Sequence, residues 1–254
     1  MSKPTCLIIQ SGAMGDIFIV APIAKYYYDR GYSVFWPVRE QYNNFVLKYL
    51  PYVNAGLIDE KNYPTIDEDW LRSDAMNMKK MLQTFKYDLV IDTSDRDVLP
   101  DQRPDESYEE YKYRVAGVPF AMKNHLLWER DLGKEERLIA HIEDNYDIDI
   151  QKDRFIVTHL GNSEIAEVPK LEYRKVINIT PIITKYDTFE IADWFPIIAK
   201  SEAVYCIKSA VHQFIDGCIN KLRYENDHLK FYILRLKIGE TVSRRWNKKY
   251  LEWD

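Results

Sequence analysis

Short apolar runs alternate with amphipathic stretches along this chain. TCLIIQ (5–10), YSVFWPV (32–38), VNAGLID (53–59) and YDLVIDT (87–93) are rich in β-branched and aromatic residues and too short to be helices. A second series follows a polar middle: RFIVTHL (154–160), KVINIT (175–180), AVYCIK (203–208) and KFYILRL (230–236). Nearly continuous apolar strands separated by helical stretches predict parallel sheets covered on both faces. The expected fold class is α/β, with two Rossmann-like parallel-sheet domains.

Residues 94–153 are dense in charge. Within them Tyr108, Tyr111 and Val115, and again Leu138, Ile139 and Ile142, recur at helical spacing, which predicts helices rather than disorder. The junction is placed near residue 150, giving an N-terminal domain over 1–150 and a C-terminal domain over 151–254. No repeat of solenoid length and no low-complexity tract interrupts this plan.

Composition narrows the function classes. The 254 residues are 46% hydrophobic, enough for two small cores, and no apolar run approaches the roughly 18 residues a membrane span requires. The N-terminus lacks a signal-like apolar region, so a soluble, cytoplasmic protein is expected. The net charge of −5 argues against coating of nucleic acid by bulk electrostatics, although the tail over 234–254 is basic and aromatic. Cys6, Cys206 and Cys218 are widely spaced, without a C-x-x-C pair; Cys6 and Cys206 lie in strand runs and are expected in the core. The five histidines show no metal-binding spacing. Asp92 and Asp95 are expected to end a strand rather than to hold a metal ion.

Ligands of open parallel sheets bind beyond the carboxyl ends of the strands, which selects the loops worth inspecting. The first, QSGAMGDIF, sets Gly12 and Gly15 around Ala-Met and leads to Asp16 at the start of a helix through Tyr28. The glycines allow positive φ or close approach of a ligand, and the acid is suited to capping free N–H groups. A cap accounts for Asp16 but not for both glycines. The spacing is not the G-x-G-x-x-G fingerprint, and neither a P-loop nor a G-x-S-x-G elbow occurs in the chain. The second loop, His159-Leu160-Gly161-Asn162-Ser163, is small and rich in donors suited to anionic oxygens. Further on, Thr180 ends a strand, Lys185 and Asp187 sit in a polar loop, and Lys208-Ser209 opens a helix carrying His212. That last unit would offer a diphosphate both formal charge and the helix dipole.

Two segments carry a family resemblance. LIIQSGAMGDIFIVAPIAKYYYDRGYSVFWPV resembles the opening of heptosyltransferase-like glycosyltransferases of the GT-B fold, with their small-residue loop and Gly-Asp pair. TFEIADWFPIIAKSEAVYCIKSAVHQFIDG resembles their nucleotide-sugar unit, although His212 follows Ser209 by three residues rather than four and Lys208 replaces an acid. The resemblance implies two Rossmann-like domains facing across a cleft, with an acceptor side at the N-terminus and a nucleotide-sugar side at the C-terminus. It implies an inverting, metal-independent glycosyltransferase with Asp16 as general base. The donor contacts would be Gly12, Gly15, His159, Gly161, Asn162, Ser163, Thr180, Lys185, Asp187, Lys208, Ser209 and His212. The co-substrate would be a UDP- or ADP-sugar, with no other cofactor. The acceptor would be a saccharide of lipopolysaccharide type or, as in small phage-type members, a hydroxymethylated DNA base. An NDP-sugar epimerase of the same architecture and a non-catalytic nucleotide-binding protein are the alternatives.

Overall fold

The computed structural model describes residues 3–10, 13–38, 40–57, 86–93, 106–159, 175–180, 182–184 and 187–234. The chain divides into two compact units, Met1–Glu129 and Arg130–Asp254. The division falls some way before residue 150, so the helix over Leu132–Tyr146 goes with the second unit rather than the first. Two charge pairs account for this. Lys134 on that helix pairs with buried Asp193 at 2.7 Å, and Arg137 pairs with Asp187.

The first unit is a parallel sheet in the order β3-β2-β1-β4, with β1 at Thr5–Ile9, β2 at Ser33–Val38, β3 at Val53–Leu57 and β4 at Leu89–Asp92. Its helices are α1 (Met14–Asp29), α2 (Glu40–Tyr49) and α3 (Tyr108–Val115). Residues Cys6 to Ile9 are all buried, as a central strand requires. Phe18 of α1 meets Phe45 of α2 edge-on at 5.5 Å between ring centroids, and Phe45 stacks on Tyr49 at 4.8 Å. The helix α1 ends at Gly31 and α3 at Gly117, whose φ angles of 87° and 65° are costly for any residue with a Cβ. In each case the following N–H reaches back five residues, Tyr32 to Tyr27 and Val118 to Tyr113, and closes the turn. Pro22 inside α1 offers no N–H to the Phe18 carbonyl, and the adjacent Ile19 carbonyl accepts from the phenol of buried Tyr113 on α3 at 2.9 Å. In this way α3 is fastened to α1.

The second unit repeats the plan. Its parallel sheet has the order β10-β9-β5-β6, from β5 (Phe155–His159), β6 (Lys175–Asn178), β9 (Ala203–Ile207) and β10 (Lys230–Leu234). The helices are α4 (Leu132–Tyr146), α5 (Phe195–Lys200) and α6 (Ala210–Glu225). All eight strands expected from the apolar runs are present, each inside the run that predicts it. Within the stretch that reads as a polar loop, β7 (Ile182–Ile183) and β8 (Thr188–Phe189) pair antiparallel, an addition to the expected plan. Cys6, Cys206 and Cys218 are buried free thiols, the first two pushed up to about 12 by burial.

Each sheet reverses its strand order at one point. In the first, the chain runs from β1 outward to β3 and returns on the other side of β1 with β4; in the second, β9 returns on the other side of β5 from β6. Crevices outside the carboxyl ends of strands form where connections leave in opposite directions. The two positions to inspect are therefore the ends of β1 and β4, and the ends of β5 and β9. No described helix is long and apolar enough to cross a membrane.

Candidate active site

At the ends of β1 and β4 the structure gathers Gln10, Asp16, Thr93, Tyr108 and Lys112. Asp16 stands in the first turn of α1 and is 4% exposed. Its Oδ2 accepts from the Ala13 N–H at 3.0 Å, the half of a capping box that an acid at this position can make. Its Oδ1 accepts from the Tyr108 phenol at 2.9 Å and lies 3.6 Å from Lys112 Nζ. Gly15 is helical here rather than at positive φ, so its contribution is the missing side chain.

Lys112 is completely buried, and its ammonium donates to the Gln10 side-chain oxygen and, at 2.8 Å, to the Thr93 carbonyl. The Thr93 hydroxyl donates to the same Gln10 oxygen at 3.0 Å. A buried ammonium costs several kcal/mol of desolvation unless it is paired and hydrogen-bonded, and here two hydrogen bonds and the Asp16 ion pair offset that cost. Two residues that immediately follow strands thus hold a lysine from α3 against an aspartate from α1. The start of α3 is fixed by a full capping box: Ser107 Oγ accepts from the Glu110 N–H, and Glu110 accepts from the Ser107 N–H at 2.7 Å. Neither Lys112 nor Tyr108 belongs to the residue set suggested by the sequence. The available signal was a lysine four residues after a tyrosine, immediately inside a Ser-x-x-Glu helix start.

At the ends of β5 and β9 the chemistry differs. His159, the last residue of β5, directs Nδ1 at the Ile179 carbonyl at 2.9 Å. That bond places the ring proton on Nδ1 in the neutral form and leaves Nε2 as the acceptor. Thr158 donates to Asn178 at 3.2 Å, drawing the ends of β5 and β6 together, and Thr180 follows as an exposed residue. After β9 come exposed Lys208 and then Ser209, which occupies the N-cap of α6 in an extended conformation. A serine there ordinarily caps the helix with its hydroxyl, but Ser209 makes no such bond. Its Oγ is buried and has no hydrogen-bond partner among the described residues. His212 lies in the first turn of α6 and is buried.

Asp187 is engaged elsewhere. The Arg137 guanidinium grips both its oxygens, at 2.7 and 2.9 Å, and holds the carboxyl below the usual range. Its backbone is bonded in both directions to Thr184, which braces the β7–β8 connection. Gly12, Gly161, Asn162, Ser163, Lys185 and Asp95 lie outside the described residues. Among the described residues, no three His, Cys, Asp or Glu side chains come together as a metal site.

No family model matches the chain, and no curated protein matches it in sequence. Solved structures do resemble it. A glycosyl transferase family 9 protein from Veillonella parvula aligns over 95% of this chain and 92% of its own, at 11% identity and a TM-score of 0.55. An E. coli heptosyltransferase with ADP-2-deoxy-2-fluoro heptose aligns over 94% and 91%, at 9% identity and a TM-score of 0.46. A putative UDP-N-acetylglucosamine 2-epimerase from Listeria monocytogenes aligns over 92% and 80%, at 11% identity and a TM-score of 0.43. With its two parallel sheets, the chain has the α/β fold of the GT-B glycosyltransferases.

Proposed function

We propose that this protein transfers a sugar from a nucleotide-sugar donor to a hydroxyl acceptor, with Asp16 as the general base. The observation that carries the reading is a buried carboxylate at the strand-order reversal of the first sheet, in a fold shared with a glycosyltransferase. The reaction needs a carboxylate to take the acceptor's hydroxyl proton as the new anomeric C–O bond forms and the bond to the diphosphate breaks. One base acting opposite the leaving group inverts the anomeric centre.

The departing diphosphate needs compensation for its charge. The second unit offers it at the start of α6, where the helix dipole, backbone N–H groups without a serine cap, the unsatisfied Ser209 hydroxyl and exposed Lys208 occur together. His159 Nε2, an acceptor in the neutral form, suits a hydroxyl of the donor and adds nothing to the compensation of the diphosphate charge. This set is chemically sufficient without a bound metal ion. The donor is a nucleoside diphosphate sugar, UDP- and ADP-sugars being the first to test. The acceptor is a saccharide or a hydroxymethylated base in DNA.

Thermal shift across UDP-, ADP-, GDP- and CMP-sugars tests binding, since a ligand at a hundred times its dissociation constant adds about 2.7 kcal/mol. Transfer to oligosaccharide and to hydroxymethylated duplex then separates the acceptors. Asp16→Asn is expected to slow transfer at least about 100-fold while nucleotide binding persists. Failure to bind any of these donors sinks the reading, and so does an altered sugar nucleotide released without an acceptor.

A further inference from the structure

The residue on which the proposed reaction turns has partners that come from far along the chain. Tyr108 and Lys112 stand one helical turn apart at the start of α3 and converge on a single oxygen of Asp16, at 2.9 and 3.6 Å. They also brace each other, because the ammonium lies 4.4 Å from the centroid of the Tyr108 ring. We infer that Tyr108 and Lys112 are positioning residues that fix the plane and direction of the Asp16 carboxylate. This inference rests on the transferase reading above.

Two hydrogen bonds and one ion pair support it. With Tyr108 Oη and Lys112 Nζ on Oδ1 and the Ala13 N–H on Oδ2, rotation of the carboxylate about its Cβ–Cγ bond is resisted from both sides. The lysine stem would have several rotamers in solution. Here its head is held by Gln10 after β1 and by the Thr93 carbonyl after β4. The carboxylate is therefore referenced to the sheet and not to one helix turn alone.

A purely stabilising counter-charge would explain Lys112 equally well, as Lys134 beside buried Asp193 illustrates. Tyr108 tells the two apart. A phenol brings no counter-charge, yet its hydroxyl is aimed at the oxygen that Lys112 faces. A base that must meet an acceptor hydroxyl gains from such fixed orientation, because a misplacement of about 1 Å costs roughly 100-fold in rate.

The test uses the full-length chain and compares wild type with Tyr108→Phe, Lys112→Met and Lys112→Arg. Steady-state transfer is measured from whichever of UDP-glucose, ADP-glucose and GDP-mannose supports turnover, with oligosaccharide and hydroxymethylated duplex as acceptors. Tyr108→Phe is expected to lower kcat about 3- to 10-fold and Lys112→Met about 10- to 100-fold, with Lys112→Arg recovering part of the loss. With kcat referred to the folded fraction measured by circular dichroism, the KM for the donor should stay within about twofold of wild type, which loss of the donor site would not produce. Should Lys112→Met fail to fold by circular dichroism, Tyr108→Phe, which deletes one oxygen atom, decides the matter alone. Active wild type with unchanged kcat in Tyr108→Phe overturns the inference and leaves the transferase reading standing. Wild type that turns over none of these donors overturns both.

Discussion

Each unit holds a buried lysine–aspartate pair built on the same local device. Asp16 lies in the first turn of α1 and reaches back to the Ala13 N–H; Asp193 lies in the 3-10 turn Ile191–Trp194 and reaches back to the Glu190 N–H. Each then meets a buried lysine from a helix distant in sequence, Lys112 or Lys134. The difference lies in what the lysine joins. Lys134 ties α4 to a turn at 2.7 Å, whereas Lys112 sits farther from its acid, at 3.6 Å, and is shared with residues that end two neighbouring strands. A capping acid with a buried cation is thus a structural fitting in one unit. In the other, the same fitting stands where the sheet's strand order reverses, and a phenol has been added to orient it. On the proposed function, placement, more than residue type, separates a brace from a site.

The comparison breaks most sharply on charge. Removing one partner of a buried pair strands the other and costs about 3–5 kcal/mol, whereas removing both can be nearly neutral. Asp16→Asn and Asp193→Asn should each destabilise by an amount near that range in urea titrations. Lys112→Met added to the first, and Lys134→Met added to the second, should restore most of the loss. Activity must then diverge. The Asp193/Lys134 double variant keeps transfer close to wild type, while the stabilised Asp16/Lys112 double variant stays inactive. Recovery of transfer in the latter would reduce Asp16 to a counter-charge.

A smaller effect separates the two strand-order reversals. At the first, the described polar groups are satisfied within the protein; at the second, the Ser209 hydroxyl is buried without a partner and the helix lacks its serine cap. On the proposed function, the internally completed cluster acts and the incomplete one receives a ligand's oxygens. Ser209→Ala removes an unsatisfied group, so the unliganded protein should melt at the same temperature or gain up to about 1 kcal/mol. Nucleoside diphosphate affinity, by calorimetry, should fall about 5- to 10-fold. A serine that served only as a helix cap would show the reverse, with lost stability and unchanged affinity.

The strands were legible because each is a short apolar run, buried on both faces in β1 and β5, that needs no long-range information to be read. The first turn of α1 was legible for a similar reason, since a capping acid next to its helix is a local pattern. The face of α3 was not. Spacing places Tyr108, Tyr111 and Val115 on a helix without saying which face is inward, and in the structure Val115 is 41% exposed while Lys112 and Tyr113 are buried. A lysine enters a core only when acceptors wait for it, and those acceptors include Gln10, 102 residues earlier. The junction at Glu129 was hidden in the same way, because the charges that fasten α4 find their partners in the stretch 187–193. Local burial writes itself into a run of sequence; pairing across the fold does not.

The smallest effect tests whether Asp187 belongs with the proposed ligand-receiving residues of its unit or with the braces. The Arg137 guanidinium, chiefly through its hydrogen bonds, keeps the Asp187 carboxyl below its ordinary pKa. A carboxyl lowered in the folded state stabilises above its unfolded pKa of roughly 4 and loses that contribution as pH falls through the folded value. Arg137→Gln should therefore melt slightly lower than wild type at pH 7, by no more than about a degree or two for a pair so near the surface. The gap should close as the pH is taken below roughly 4. Salt should narrow it at neutral pH, since an exposed pair is screened. Nucleotide affinity at pH 7 is the deciding measurement. An Asp187 committed to Arg137 leaves that affinity unchanged in the variant, whereas an Asp187 that contacts the donor would be released by losing its arginine and would shift it. The first result places Asp187 beside Asp193 as a brace, and confines the proposed ligand-receiving groups of the second unit to the ends of β5 and β9.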